Sequence, residues 1–463
     1  MNRPLTRRAA IAAAAAAGLT PALLRAAPER PEDYEAVLRA FQTFLYGTST
    51  DIPGAISYLQ ERGGADLASG LILALRFSRY PRSEIVALLE RVTGVSPGDG
   101  WADWMLWQEG SPEIASHPAY FEFKRTLFMS IDERWRPFLK PEFIADGAMD
   151  IRFEEVAWGG VRRDGIPSLD FPAHVEAAEA TYLRDDDLVF GVEINGDVRA
   201  YPLRIMGWHE MFNEVIGGVP VALAYCTLCG AGILFETKLD RFDRALIIGT
   251  SGFLYRSNKL MYDRRTESLW NQFTGEPVSG ELRGSGIVLP QRPVVIAPWG
   301  EWKARNPGTK VLKLETGFDR DYGSGVVYRD YFASPDLMFP ALVDQSRLAQ
   351  KDYVFAIRQF GAAKAWALEL FEGGAVVNDA IGELPIVLVG DESGRTVRAY
   401  ERDGRVFEAA EGGKLASGGS VWTANEAELA SETGETLPRV AGHVAYWFAW
   451  NNYLGPEGEV VTR

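Results

Sequence analysis

The feature that most constrains this chain is an internal repeat. Laying Val189-Phe190 on Val354-Phe355 and holding that register brings Gly196 onto Gly361, Ala200 onto Ala365, Leu203 onto Leu368 and Asn213 onto Asn378. Ile216-Gly217, Pro220 and Leu223 fall likewise on Ile381-Gly382, Pro385 and Leu388. These are ten identities in the 35 positions 189–223, with no gap, so the two stretches read as copies of one unit. The unit is β-rich. Val189–Ile194 is followed by Asn195-Gly196, a two-residue hairpin signal, and then by Val198–Tyr201. Val219–Tyr225, Ala245–Ile248, Val294–Ile296 and Val311–Leu314 read as further short strands.

Ahead of the repeat the period changes. From Pro31 to about Leu139, apolar residues recur at three and four positions, as in Tyr34-Leu38-Phe41-Phe44-Leu45 and Ile85-Leu88-Leu89-Val92. Four to six packed helices are expected there, with their Trp and Phe residues in the core. The expected fold class is α+β. A helical N-terminal domain at 28–145 is followed by a duplicated β-rich domain at 146–463, with copies at about 189–275 and 354–427.

The stretch from Met1 to Ala27 holds four Arg and no acid. Thr6-Arg7-Arg8, an Ala-rich apolar stretch and small residues around Arg25-Ala26-Ala27 read as a cleaved secretory signal of the twin-arginine type. The expected location is the periplasm or the exterior, with no transmembrane segment after cleavage. The net charge of −15 becomes −19 without that segment, which argues against a nucleic-acid partner. A small molecule or a metal is the expected partner, and the sequence names no protein partner.

The repeat also serves as an internal control: what both copies share serves the fold, and what one copy holds alone is a candidate for function. The chain has two Cys and four His. His209 and Glu210 fall opposite Gly374 and Ala375, Cys226 opposite Asp391 and Cys229 opposite Gly394. The reactive residues therefore belong to the first copy, and the second reads as silent. Asn213 and Asn378, being shared, read as capping or turn residues.

Trp208-His209-Glu210-Met211-Phe212-Asn213 approaches the H-E-x-x-H zinc motif, but Asn213 holds the second His position. The stronger signal is Cys226-Thr227-Leu228-Cys229, directly after a buried strand. Two thiols at this spacing face one point, bonded to each other or to a shared metal. No His follows Cys229, and no second Cys pair exists, which argues against covalent haem and four-thiolate sites.

Three readings stand. In the first, His209, Cys226 and Cys229 hold a metal ion with an open position, copper ahead of zinc or iron, and Glu210 is a further ligand or an acid/base group beside it. That makes a metal-dependent oxidoreductase or metal-handling protein, with Glu210, Cys226 and Cys229 catalytic. In the second, the cysteines cycle as a dithiol–disulfide pair without metal, with His209 or Glu210 moving protons. In the third, a non-enzymatic binding module carries a structural disulfide, and His209 is a satisfied histidine. Ser251, Tyr255, Asn258 and Asp263, in a Gly-punctuated stretch after the Cys loop, read as pocket residues.

From about Gly165 to Trp450 the chain resembles the bacterial family named domain of unknown function 3179. The resemblance rests on Asp164-Gly165-Ile166-Pro167, Ala200-Tyr201-Pro202-Leu203, Trp208-His209-Glu210 with Asn213, and Tyr225-Cys226 through Cys229-Gly230. It continues through Ser251-Gly252, Leu254–Asn258, Asp263-Arg264 with Thr266, Ser268-Leu269-Trp270 and Trp447–Trp450. It implies that His209, Glu210, Cys226 and Cys229 belong to the family's common pattern, and it implies no activity. Thr227 stands where family members commonly carry Pro, so the resemblance implies a looser turn here.

Overall fold

A computed structural model of the chain describes residues 30–455 and 458–463. The expected signal segment lies outside the described residues. The architecture is α+β: among the described residues, six α-helices lie between Tyr34 and Ile131 and strands in several sheets follow residue 155.

The helices form where the three-and-four spacing places them. Tyr34–Tyr46 buries Val37, Phe41 and Phe44, and Arg82–Thr93 buries Ile85, Leu88, Leu89 and Val92. Their combined apolar face has to be covered. It is covered by one face of a five-stranded antiparallel sheet, ordered Val156–Trp158, Ile248–Tyr255, Asn258–Asp263, Leu269–Asn271, Pro277–Ser279. Strand alternation divides this sheet between two cores. Phe253, Tyr255, Leu260, Tyr262 and Leu269 join the helical core. Leu254, Met261 and Trp270 point the other way, into a core that also contains Cys226 and Cys229. Trp135 fixes the helices to the sheet. Its indole N–H donates to the Ser251 carbonyl at 2.7 Å, and its ring lies 4.7 Å from that of Phe253.

The hairpin read from Asn195-Gly196 is present, joining Leu188–Ile194 to Asp197–Pro202. Both turn residues have positive φ, 51° and 81°, as a turn matching the strand twist requires. Then come helix Leu203–His209 and strands Met211–Ile216, Val219–Cys226 and Ala231–Glu236, the three strands lying side by side. In the later part, strands Tyr353–Gln359 and Ala362–Ala367 pair, and Ala375–Ile381, Leu384–Asp391 and Thr396–Glu401 lie side by side.

Asn213 and Asn378 are strand residues, not caps or turns. Each side chain bonds both ways with the backbone of one residue on a following segment. Asn213 donates to Ile248 O at 2.9 Å and accepts from Ile248 N at 2.8 Å. Asn378 does the same with Phe407 at 2.7 and 2.9 Å. No helix among the described residues is long and apolar enough to cross a membrane.

Candidate functional site

Cys226 ends strand Val219–Cys226, opposite Ala231 on the next strand. The chain reverses through Thr227-Leu228-Cys229-Gly230, with Cys229 N–H donating to Cys226 O at 3.1 Å and Gly230 N–H to Thr227 O at 3.2 Å. Gly230 has φ +61°, and a Cβ there would meet the Tyr353 ring at 3.0 Å, so glycine is favoured on both counts. The turn brings the two Cα atoms to 5.2 Å, and the sulfurs are bonded to each other. Both cysteines are buried, Cys226 at 2% exposure and Cys229 at 0%.

Glu210 caps the C-terminus of helix Leu203–His209 with φ 53°. Its backbone carbonyl accepts from Tyr225 N–H at 2.8 Å, which ties the cap to the strand carrying Cys226. The Glu210 carboxylate reaches into the Cys turn, where Thr227 Oγ1 donates to Oε1 at 2.7 Å. Its other oxygen accepts from Lys259 Nζ at 3.0 Å, and the same ammonium donates to Glu210 O and Tyr225 O, both at 3.3 Å. Burial pulls the Lys259 ammonium below the usual lysine range, and the Glu210 charge opposes that pull. Burial, with the charge of the nearby Glu210, pushes the Tyr328 phenol up to about 12.

Asn258 stands on the other side of the disulfide. Gln272 donates to Ala224 O at 2.7 Å and Ala231 O at 3.0 Å, which turns its own oxygen toward Asn258. Asn258 Nδ2 therefore donates to Gln272 Oε1 at 2.8 Å, and it lies 3.3 Å from Cys229 Sγ.

His209 has both ring nitrogens engaged. Nδ1 lies 2.8 Å from Pro167 O, which can only accept, so Nδ1 carries the proton. Nε2 then accepts from Tyr322 OH at 2.6 Å. Burial lowers the His209 pKa. Among the described residues, no three His, Cys, Asp or Glu side chains are grouped as a metal ion requires. The structure thus joins Glu210 to the Cys turn through Thr227 and gives His209 partners of its own.

The other expected pocket residues separate. Ser251 Oγ donates to Leu260 O at 2.6 Å and accepts from Phe253 N–H at 3.0 Å, inside its own hairpin. Asp263 accepts from Arg265 N–H at 3.0 Å, Thr266 N–H at 2.6 Å and Trp270 Nε1 at 2.9 Å, which fixes a turn. Tyr255 lines two clefts, of about 490 and 360 Å³. Lys259, Tyr322 and Tyr328 were not singled out by sequence. Lys259 lies one residue beyond Asn258 in a stretch that was, and an apolar strand is where a lone Lys signals a buried partner.

A long segment, residues 313–352, covers the site. It links strands Lys310–Leu312 and Tyr353–Gln359 and holds one five-residue helix, Arg329–Ala333. Tyr322 meets His209, Tyr328 lies near Glu210, and Tyr331 OH donates to Leu228 O at 2.7 Å. The segment is fastened beyond the site as well. Leu342 N–H donates to Glu109 Oε2 at 2.9 Å, and Asp344 O accepts from Trp447 Nε1 at 2.7 Å. Connections this long without regular structure are usually functional covers or mobile loops.

Fold and site define an α+β protein with a bonded Cys-x-x-Cys hairpin beneath a long cover, braced by a buried Glu–Lys pair. The family model described as "Protein of unknown function (DUF3179)" matches residues 163–457, and the chain belongs to that family. No curated protein and no solved structure matches the chain.

Proposed function

We propose that this is an exported thiol–disulfide redox protein whose working group is the Cys226–Cys229 pair. The observation that carries the reading is the bonded pair itself, with Thr227 between the sulfurs held by the Glu210–Lys259 pair. A partner thiolate attacks Cys226 Sγ, the Cys226–Cys229 bond breaks, and Cys229 leaves as a thiolate beside the Asn258 amide. A second partner thiol then attacks the mixed disulfide and releases Cys226. The partner loses two electrons and the protein gains two, together with two protons. Lys259 and Glu210 are the nearby groups that can pass protons to the sulfurs. Because both sulfurs are buried, this chemistry requires the 313–352 cover to lift.

The reading places this centre in the first of two copies of one β-rich unit. Strands Leu188–Ile194, Asp197–Pro202, Val219–Cys226 and Ala231–Glu236 recur, in the register of the repeat and with matching bounds, as Tyr353–Gln359, Ala362–Ala367, Leu384–Asp391 and Thr396–Glu401. The two-way bonds of Asn213 and Asn378 recur with them. The first copy alone carries the sulfurs.

Alkylation of the mature protein before and after reduction tests the function. The expected result is no free thiol as isolated, two after dithiothreitol, and a reversible potential above about −300 mV. A pair that resists reduction while the fold is intact would leave only a structural disulfide. One equivalent of bound metal, retained with both thiols free of each other and lost in His209→Ala, would restore the metal reading instead.

A further inference from the structure

The second half of the β-rich part carries a polar cluster that no motif announces. Strand Tyr353–Gln359 pairs antiparallel with His443–Tyr446, with His443 opposite Ala356. Arg358 lies two residues beyond Ala356, so strand alternation puts Arg358 and His443 on one face. Trp450, on helix Trp447–Leu454, completes the group. Its ring centroid is 5.6 Å from that of His443, and the Arg358 guanidinium carbon lies 5.3 Å over it. Phe273 closes against His443 and Trp450 at 5.4 and 5.9 Å.

Five buried nitrogens in these three side chains have no hydrogen-bond partner among the described residues: Nε and Nη2 of Arg358, both ring nitrogens of His443, and Nε1 of Trp450. Buried polar atoms are nearly always partnered, and five orphans in one place call for a cause. Arginine cannot shed its proton to escape burial. The acid whose charge reaches Arg358 is Glu276, which is exposed. The orphaned edge of Arg358, Nε with Nη2, is the one that grips two oxygens side by side. Trp450 adds a third N–H and the neutral His443 ring a fourth.

The first half supplies a comparison. In the register of the repeat, Glu193 stands where the second half has Arg358. Val295 pairs with Gly191 as His443 pairs with Ala356, and Trp302 follows Val295 at the spacing by which Trp450 follows His443. There the indole N–H is satisfied, with Trp302 Nε1 donating to Thr309 Oγ1 at 3.0 Å. Glu193 accepts from Gly196 N–H at 2.6 Å. The unpartnered donors are therefore particular to the second half and are not a cost of the fold.

We propose that Arg358, His443 and Trp450 bind an oxyanion, the carboxylate or phosphate group of a small molecule. Arg358 holds two oxygens, and the Trp450 and His443 N–H groups complete the set. A cleft of about 490 Å³, lined by Tyr453, Asn271 and Glu276, lies nearby, although none of the trio forms its wall. Tyr453 stacks on Phe273 at 4.9 Å and Phe273 lies against His443 and Trp450, so an aromatic layer stands between that cleft and the trio, and a ligand reaching from one to the other has to displace it. The site is independent of the chemistry at Cys226 and Cys229.

Thermal unfolding of the mature protein tests this, titrated with sodium acetate and with sodium phosphate against sodium chloride at matched ionic strength. The expected result is a saturable rise in Tm above the chloride baseline with at least one oxyanion. Arg358→Gln and Trp450→Phe should each weaken the apparent affinity at least tenfold, and Glu193→Gln should leave it unchanged. Arg358→Lys, which keeps the charge and loses the two-pronged edge, should behave like Arg358→Gln. No rise above chloride in the natural protein would overturn the proposal, as would an equal rise in Arg358→Gln and Trp450→Phe. Should Arg358→Gln fail to fold, Trp450→Phe decides, because it removes one N–H and keeps an aromatic ring in place.

Discussion

Replacing Lys259 by Met probes the buried pair beside the disulfide most directly. Lys259 is 4% exposed, and its ammonium serves three oxygens, at 3.0, 3.3 and 3.3 Å. Met fills a similar volume but leaves the Glu210 carboxylate without its counter-charge, and breaking a buried pair from one side costs about 3–5 kcal/mol. Glu210→Gln leaves the opposite charge stranded and falls in the same range, towards its lower end, because the Gln oxygen still accepts from Lys259. The double variant strands neither charge. It should therefore lose less than the two single losses added together, by at least about 2 kcal/mol. Urea unfolding at pH 7, followed by circular dichroism with an unchanged m-value, reads these differences. Additivity within about 0.5 kcal/mol would refute the coupling, as would a Lys259→Met loss below about 1 kcal/mol. Reduction of the Lys259→Met disulfide by dithiothreitol should also change in rate, since the Glu210 carboxylate that accepts from Thr227 in the Cys turn has lost its counter-charge.

Three further outcomes follow from the geometry. Tyr331→Phe removes one bond from the cover to Leu228, worth about 1 kcal/mol, and should speed reduction of the disulfide roughly fivefold with little change in Tm. Gly230→Ala forces a side chain into positive φ and against the Tyr353 ring, and should cost more than about 1 kcal/mol in chemical unfolding. Glu426 accepts from Arg398 and Arg439, and although burial pushes its pKa up, their charges win and hold it at about 2. A carboxyl depressed on folding adds stability that is complete above its ordinary pKa of 4.5 and is lost as the pH falls towards 2. Glu426→Gln should therefore flatten the acid limb of the stability profile by on the order of 3 kcal/mol.

The local parts of this architecture were legible. Three-and-four spacing located the helices, and Asn195-Gly196 located a hairpin whose two positive φ values the structure contains. The Cys turn lay where a buried strand ended. What stayed hidden depends on distance along the chain. Tyr322 lies 113 residues from His209, and Lys259 lies 49 from Glu210, so no spacing rule reaches either partner. Polar density after the Cys loop pointed to Ser251 and Asp263, yet Ser251 spends its hydroxyl inside its own hairpin and Asp263 its carboxylate on its own turn. The second half of the β-rich part read as silent because reactive residues were sought as thiols and adjacent motifs. Arg358, His443 and Trp450 carry no such signature, and only the strand register and the helix after it bring them together.

The sheet of Ile248–Tyr255 and its neighbours is covered on both faces, by the helices on one and by the disulfide core on the other. The family match begins at residue 163, after every one of those helices. A chain cut at that boundary would present Phe253, Tyr255, Leu260, Tyr262, Leu269 and Val278 to water as one greasy wall. Such a fragment should precipitate or self-associate on expression. The edge of sequence similarity in this protein is thus not a place where the polypeptide can be divided.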